Sequence, residues 1–321
     1  MKEKNFLKTF LFILLIVLLL TITIPWLIPI SQAQKHKIDF KPFYNSEFVE
    51  IDGVKLHYRT WLTEDKNKGW ILFIHGMGSS TYSWENNTVF FYQNDYNVIA
   101  VDVPPFGYSD KNPELNNSID ELSKLLWNFT KIFDNSGKWV LIGHSMGGAI
   151  VQCMSVIKPY KVSKTVFVSP AMFKDLSPQK DFSSFIIKIP LIQRIIIIIG
   201  DYFIITEKNV SKMLLSAYGK EVPQETVREY LKTFNQKGFT TAFVKTFGNS
   251  KIIQNVNGLN FKTKSLLFAG VKDTWVPYEK YKNIYELFPQ MKTVLIEDAG
   301  HCIMETHPNE FNKITLDFLR E

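Results

Sequence analysis

Apolar and polar positions divide the chain into a long apolar leader and a segment of short alternating patterns. Two β-rich runs, Phe48–Ile51 and Val54–Trp61, flank the dipeptide Asp52-Gly53, which is a strong signal for a hairpin. Continuous apolar runs follow at Trp70–His75, Asn97–Val103, Lys138–Ile142 and Lys164–Ser169. Runs of this kind are typical of parallel strands that are covered on both faces.

Helical spacing separates these strands. In Ser118–Phe133 and Ser145–Ile157, leucines and aromatic or aliphatic residues recur three and four positions apart. Strands that alternate with helices predict a mostly parallel sheet with helices on both faces. The fold class expected from the pattern is therefore α/β.

The alternation stops near residue 171. From about Ala171 to Ser250 the pattern is helical without a clear strand, and strand character returns at Ser265–Ala269 and Thr293–Ile296. The last helix is predicted over Pro308–Arg320. We expect one α/β domain interrupted by a helical lid, divided into a leader (1–34), core (35–170), lid (171–250) and core (251–321).

The leader has the composition of a membrane segment. Lys2, Lys4 and Lys8 precede an apolar stretch over Phe10–Ile30, and the next charged residue is Lys35. This stretch exceeds the roughly 7–15 apolar residues of a signal peptide and can cross a hydrocarbon core about 30 Å thick. An uncleaved anchor is the favoured interpretation.

Cleavage is the alternative. Ser31-Gln32-Ala33 has small residues at the spacing that signal peptidase prefers, and Pro25 and Pro29 weaken a helix here. Both interpretations direct the chain to a membrane. Because a short basic leader normally stays inside, we expect the domain to lie outside the cytoplasm, either tethered or secreted after cleavage near Ala33.

Composition excludes several classes of protein. Hydrophobic residues make up 45% and charged residues 21%, the balance of a globular protein. The net charge of +6 comes from scattered lysines, without the clustering that nucleic-acid binding requires. Cys153 and Cys302 form no C-x-x-C or metal-type motif, so we expect free thiols, no metal and no organic cofactor.

A nucleophile motif lies between a predicted strand and a predicted helix. Gly143-His144-Ser145-Met146-Gly147 fits the pattern G-x-S-x-G. Its glycines leave room for a sharp turn that lifts the serine hydroxyl out of the carboxyl edge of the sheet. We therefore expect Ser145 to be the nucleophile.

A serine nucleophile requires a base, and the chain offers His36, His57, His75, His144, His301 and His307. His301 follows the final strand, at the same sheet edge as Ser145, and is the candidate base. His75 ends a strand within His75-Gly76-Met77-Gly78, which suits it to holding a backbone loop.

The base requires a carboxylate that fixes its tautomer and stabilises its cation. Asp273 lies just past the strand Ser265–Ala269, again at the carboxyl edge. Asp175, after the preceding strand, is the alternative. Glu297 and Asp298 are too close to His301 in sequence to reach its far nitrogen.

The order Ser145, Asp273, His301 is that of the α/β-hydrolase superfamily. From about residue 48 onward the chain resembles the lid-bearing branch of this family, whose fold we therefore expect. The resemblance implies that His75-Gly76 belongs to an oxyanion loop, with the backbone N–H groups of Met77 and Met146 as donors.

Two further motifs carry the resemblance. The loop Asp102–Ser109 is similar to the family's D-x-P-G-x-G-x-S loop, although Pro105 replaces the first glycine. The elbow and the leader resemble those of monoacylglycerol lipase-like members. Epoxide hydrolases and haloalkane dehalogenases of this fold use aspartate as nucleophile, so serine at position 145 indicates acyl chemistry.

The predicted lid contains the apolar stretch Phe185–Gly200, which Lys188, Pro190 and Arg194 make too interrupted to span a bilayer. It can pack within the lid, line an acyl-chain pocket or face a membrane. We expect a membrane-tethered ester hydrolase acting on a small-molecule acyl ester such as a monoacylglycerol, without an obligate protein partner. A carbon–carbon bond hydrolase, a thioesterase or amidase, and an inactive binding protein are the alternatives.

Overall fold

The structure is a computed structural model, and it describes residues 2–30, 41–63, 69–135, 137–171, 188–249, 260–281 and 284–321. Its centre is an eight-stranded sheet in the order β1-β2-β4-β3-β5-β6-β7-β8. The strands are β1 (Ser46–Ile51), β2 (Val54–Trp61), β3 (Trp70–Ile74), β4 (Asn97–Val101), β5 (Trp139–His144), β6 (Val162–Val168), β7 (Ser265–Gly270) and β8 (Met291–Ile296).

Strand direction follows the predicted pattern. The β1–β2 hairpin and the β2–β4 pair are antiparallel, and every other pairing in the sheet is parallel. The hairpin at Asp52-Gly53 and the mostly parallel sheet are confirmed. Because the carboxyl ends of parallel strands meet at one edge, the loops after β3, β5, β7 and β8 meet there too.

The helices in the described residues are α1 (Lys2–Leu27), α2 (Glu85–Tyr92), α3 (Ile119–Thr130), α4 (Met146–Ile157), α5 (Pro190–Ile199), α6 (Glu207–Tyr218), α7 (Gln224–Phe234), α8 (Phe239–Asn249), α9 (Ile284–Leu287), α10 (Ile303–Thr306) and α11 (Pro308–Arg320). Helices α3 and α4 cover one face of the sheet, and α2 and α11 cover the other.

The continuous apolar strands are explained by these two layers. Leu72 and Ile74 of β3 pack into the core beneath α3 and α4, whereas Ile71 and Phe73 pack into the core beneath α2 and α11. Successive side chains of a strand point to opposite faces, so a strand that is covered twice is apolar at every position. In edge strand β8 only the end residues Met291 and Ile296 are buried, and the four positions between them are partly or fully exposed.

A helical insertion, residues 188–249 of the described chain, lies between β6 and β7 and contains α5 to α8. A π-helical turn over Gly200–Ile204 joins α5 to α6. The insertion packs around a third apolar cluster that includes Leu214, Phe234 and Phe239, with Phe106 contributed by the core. The lid boundaries 171 and 250 stay a prediction, since residues 172–187 and 250–259 are outside the described chain.

A buried carboxyl group ties the insertion to the core. Glu305 of α10 accepts hydrogen bonds from the hydroxyl groups of Tyr218 at 2.5 Å and Tyr230 at 2.8 Å. Burial raises the pKa of Glu305 to about 7, while these hydrogen bonds act to lower it. Helices α6 and α7 are thus fixed to the segment that follows the candidate base.

The leader forms helix α1, which continues through Pro25. Its segment Phe10–Leu27 is long and apolar enough to cross a membrane, and only 6% of it is buried in the protein. Along this length α1 lies outside the folded domain. At its end it contacts the domain, because Arg194 of the insertion donates hydrogen bonds to the carbonyl groups of Pro25 and Ile28.

A fully buried hydrogen-bond network fastens the first hairpin to the loop after β4. His57 contacts Ser46 Oγ through Nε2 and Asp102 through Nδ1, each at 2.7 Å. Asp102 also accepts from the backbone N–H groups of Thr81 at 2.6 Å and Tyr108 at 2.7 Å. Burial tends to raise the pKa of Asp102, but His57 and these hydrogen bonds hold it below its ordinary value.

Gly107 completes this loop, which contains a cis peptide bond between Pro104 and Pro105. Its φ is +56°, and a Cβ atom there would lie 2.1 Å from the carboxylate of Asp102. Gly53 has a similar φ of +77°, but a Cβ atom there would meet nothing within 4 Å.

These two glycines give a matched test of the network. Gly53→Ala should lower the free energy of unfolding by about 1–2 kcal/mol, the penalty for a left-handed alanine. Gly107→Ala carries the same penalty and overlaps Asp102, which should add about 1–3 kcal/mol of overpacking. Unfolding of the full chain in detergent, followed by circular dichroism, measures the difference; equal losses would contradict the proposed crowding.

Candidate active site

Ser145 lies in the tight turn between β5 and α4. Its φ is +50° and its ψ is −116°, a conformation that is unfavourable for a residue with a side chain. A Cβ atom on Gly143 would lie 2.4 Å from the carbonyl oxygen of Gly147, and one on Gly147 would lie 2.2 Å from that of Ile74. The turn therefore closes only because both glycines lack side chains.

The loop after β3 lies beside this turn. A Cβ atom on Gly76 would be 3.1 Å from Cβ of Ser145, so the backbone of this loop is next to the serine. Met146 is the first residue of α4, whose N-terminal N–H groups and dipole favour negative charge. Met77 and Met146 are thus near Ser145, and their role as oxyanion donors stays a prediction.

Asp273 and His301 form a direct pair. Oδ2 of Asp273 is 2.8 Å from Nδ1 of His301, and Oδ1 accepts from the backbone N–H groups of Trp275 at 2.8 Å and Val276 at 2.9 Å. Burial favours a raised pKa for Asp273, but the hydrogen bonds and His301 hold it below its ordinary value. The carboxylate is therefore ionised, and the proton on Nδ1 leaves Nε2 as the basic nitrogen.

Backbone contacts hold His301 in place on two sides. Its N–H donates to the carbonyl group of Ala217 at 2.6 Å, and its own carbonyl is 3.1 Å from Nε2 of His144. Burial and the neighbouring His301 lower the pKa of His144 well below its ordinary value. His144 is accordingly neutral and donates its Nε2–H to this carbonyl.

The other histidine at this edge has a structural role. Nε2 of His75 accepts from the backbone N–H of Val103 at 2.8 Å, and Nδ1 donates to the carbonyl of Gly76 at 2.7 Å. Burial lowers the pKa of His75, which keeps the ring neutral. The prediction that His75 holds a backbone loop is confirmed.

A cavity of about 500 Å³ opens beside Ser145 and His301. The insertion supplies most of its wall, through Ile196, Ile199, Ile204, Ile205, Val210, Met213, Leu214, Ala217, Tyr230, Phe234, Phe239, Phe243 and Val244. The core adds Met77, Ser79, Trp275 and Cys302. Among the described residues that line it, none is a lysine, arginine, aspartate or glutamate.

Sequence reasoning missed two contributors to the site. The ring of Trp275 lies 5.4 Å from that of His301, and its Nε1–H donates to Ser216 of the insertion at 3.1 Å. Ala217 holds His301 through its backbone carbonyl, which no sequence motif marks. The alternative acid Asp175 and the start of the stretch Phe185–Gly200 lie outside the described residues. No group of potential metal ligands occurs within the described chain.

Known proteins are similar to this chain in sequence and fold. A family model described as the alpha/beta hydrolase fold matches residues 69–194. Epoxide hydrolase 3 of Xenopus tropicalis is 26% identical over 85% of this chain and 77% of its own length. The 2-hydroxy-6-oxo-6-(2'-aminophenyl)hexa-2,4-dienoic acid hydrolase of Metapseudomonas resinovorans is 26% identical over 90% of this chain and 96% of its own length.

A solved structure extends the likeness to the leader. The crystal structure of a membrane phospholipase A, a bacterial virulence factor, superposes with a TM-score of 0.67 at 19% identity, over 99% of this chain and 98% of its own. The parallel sheet, the serine at the β5–α4 turn and the family match lead to one conclusion. The chain belongs to the α/β-hydrolase superfamily and is a hydrolase.

Proposed function

We propose that the chain is a membrane-tethered carboxylic ester hydrolase that cleaves lipid-like acyl esters, such as monoacylglycerols, through an acyl-enzyme on Ser145. The observation that carries this proposal is the apolar cavity of about 500 Å³ that holds Ser145 and His301 in its wall. Cavities of this size and character suit a ligand with a long apolar part.

In the proposed reaction, Nε2 of His301 takes the proton from Ser145 Oγ, which attacks the ester carbonyl carbon. The backbone N–H groups of Met77 and Met146 receive the developing oxyanion. His301 then protonates the leaving alcohol, and a water molecule releases the acid by the reverse sequence. Asp273 stabilises the imidazolium at each stage.

A carbon–carbon bond hydrolase is the second candidate, because the dienoic acid hydrolase aligns over 96% of its own length. The substrate in its name carries a carboxylate, which a binding site stabilises with a cation or several donors. The described wall of this cavity contains neither lysine nor arginine. The wall therefore favours an uncharged ester over a dienoic acid, and assays of both substrates discriminate the candidates.

The remaining alternatives differ from the proposed function in their nucleophile, in the bond that they cleave or in having no catalytic activity. Epoxide hydrolases of this fold use aspartate where this chain has Ser145, so the likeness to Epoxide hydrolase 3 does not extend to that step. Thioesterase and amidase activity would use the same triad and are separated by substrate. An inactive binding protein would leave a fluorophosphonate probe unreacted, which separates it from the proposed hydrolase.

Helix α1 supports the membrane tether. It has the length and composition of a membrane span, and the membrane phospholipase A aligns over 99% of this chain. We propose that α1 remains attached, that the helical insertion acts as a lid over the cavity, and that the catalytic domain lies outside the cytoplasm.

Ser145→Ala should lower kcat by about a million-fold, as nucleophile removal does in comparable triads. It should also abolish labelling by a fluorophosphonate probe. Ser46→Ala is the matched control. Ser46 also contacts a histidine that is paired with an aspartate, but the side chain of Ser46 is completely buried. Labelling that survives in folded Ser145→Ala protein, or that is lost only in Ser46→Ala, would contradict the assignment.

Asp273→Asn should lower kcat by about 10⁴, because an amide at this position favours the wrong tautomer of His301. Asp298→Asn is the control, since Asp298 is an exposed carboxylate paired with Lys272 only three residues before His301. Its kcat should stay near that of the unaltered protein. A severe loss in Asp175→Asn together with a mild one in Asp273→Asn would transfer the role to Asp175.

Ile196 and Ile199 should determine the preference for acyl chain length. Each substrate methylene buried against them gains up to about 0.8 kcal/mol, so kcat/KM should rise by up to roughly fourfold per carbon until the cavity is full. The double substitution Ile196→Ala, Ile199→Ala should flatten this slope and spare acetate-ester hydrolysis. Monomeric p-nitrophenyl esters of graded length, in buffer without micelles, measure the slope.

Leu215→Ala is the control for this test, because Leu215 is an exposed residue of the insertion that does not line the cavity. Its slope should match that of the unaltered protein. A slope that is unchanged in the well-folded double variant would assign the two isoleucines to packing or membrane contact.

A further inference from the structure

The insertion carries an apolar patch next to the end of α1. We define the apolar patch as Ile196, Ile199, Tyr202, Phe203 and Ile204, which are 38%, 44%, 53%, 67% and 55% exposed. They lie at the end of α5 and in the π-helical turn that follows it. Large exposed apolar residues that cluster in this way mark a surface that meets a partner or a membrane.

The position of the apolar patch is determined by contacts with α1. Arg194 Nε donates to the carbonyl of Pro25 at 2.5 Å, and Nη2 donates to that of Ile28 at 2.8 Å. The hydroxyl of Tyr202 donates to the carbonyl of Pro29 at 2.9 Å. The guanidinium of Arg194 also lies 4.9 Å from the ring centre of Trp26, as a cation–π contact.

These contacts complete the end of the helix. The last carbonyl groups of any helix lack intrahelical partners, and that of Pro25 would require the N–H of Pro29, which proline does not have. Arg194 supplies the missing donor and places a positive charge at the negative end of the helix dipole. The insertion, rather than the sheet, is thus the part of the enzyme to which α1 is fastened.

The end of α1 also locates the bilayer surface. Trp26 is the second-last residue of the span Phe10–Leu27, and tryptophan at the end of a membrane helix lies at the level of the lipid headgroups. Arg194 and Tyr202 contact this same turn, so the insertion meets the membrane at that level. The apolar patch, which includes Tyr202 and the adjoining Phe203 and Ile204, is therefore next to lipid.

The apolar patch is also the outer side of the cavity wall. Ile196, Ile199 and Ile204 are each exposed on the surface, and each lines the cavity that contains Ser145. Only one layer of side chains separates that cavity from the surface at this point. A lipid that enters between these residues would not have to cross water.

We infer that the apolar patch inserts into the interfacial region of the lipid bilayer and admits acyl substrate to the cavity directly from the membrane. The inference rests on the proposed membrane tether and adds the surface through which substrate enters. An interfacial segment with aromatic and aliphatic side chains enters a bilayer by about 5–10 Å. The occupant of the patch is thus lipid, not a second protein.

A depth measurement on the full chain tests this inference without reference to activity. Phe203→Cys, labelled with a nitrobenzoxadiazole fluorophore, is reconstituted into phosphatidylcholine vesicles that contain doxyl-labelled lipid. Tyr160→Cys is the matched control, because Tyr160 is 66% exposed and lies on the core domain, in the 3₁₀ turn Pro159–Lys161 after α4. The native Cys153 and Cys302 are buried and should not react.

The label at position 203 should be quenched by doxyl lipid and protected from aqueous iodide, and the label at position 160 should show the reverse. Chain that stays with the vesicles but has both labels in water would overturn the inference and leave the tether intact. Chain that is lost from the vesicles on carbonate washing would overturn both.

Activity provides the second measurement. Phe203 is exposed but does not line the cavity, so Phe203→Ser should spare hydrolysis of a soluble short-chain ester. Hydrolysis of a monoacylglycerol held in vesicles should fall by about tenfold, since burial of one such side chain is lost. Tyr160→Ser should change neither rate. Equal rates for Phe203→Ser and unaltered chain on the vesicle substrate would contradict the entry route, whereas absence of all ester hydrolysis would refute the proposed function and leave the depth result standing.

Discussion

The crowded turn between β5 and α4 is the constraint on which the site depends. Ser145 has an unfavourable backbone conformation in this turn. The turn can form only because Gly143 and Gly147 have no side chains, since carbonyl oxygens occupy the space that a Cβ atom at either position would need. Neighbouring strands fix this turn, since the N–H of Ser145 donates to the carbonyl of Val168 at 3.0 Å. The parallel sheet then brings Asp273 and His301 to the same edge, because their loops follow β7 and β8.

The helical insertion contacts both α1 and the segment that contains His301. One part of it, through Arg194, completes the end of α1, and another, through Ala217, accepts the backbone N–H of His301. Glu305 adds a third connection through Tyr218 and Tyr230. His301, the proposed base, is therefore held partly by the insertion, which also contacts α1, so displacement of α6 would shift His301.

The sequence was sufficient to predict the sheet, because apolar runs and strand ends are visible in the pattern, and its glycine motif and strand ends led to the three proposed catalytic residues. It was not sufficient for the contacts that assemble the site from distant segments. Arg194 and Ala217 meet backbone carbonyl groups, which every residue possesses and which no pattern marks. Likewise, Ile199 is exposed on the surface and also lines the cavity, but the sequence alone shows only an apolar residue at this position.

Ser46, His57 and Asp102 repeat the chemistry of a triad in a place where no substrate can reach it. Their contacts are 2.7 Å each, against 2.8 Å between His301 and Asp273, yet all three side chains are sealed from solvent. The protein thus contains a buried counterpart of its proposed active site. Side-chain identity does not distinguish the two sets of residues; a serine held in an unfavourable turn and facing an open cavity does. A search for serine, histidine and aspartate in hydrogen-bond contact would find this buried set, and only its lack of access to solvent marks it as a structural brace.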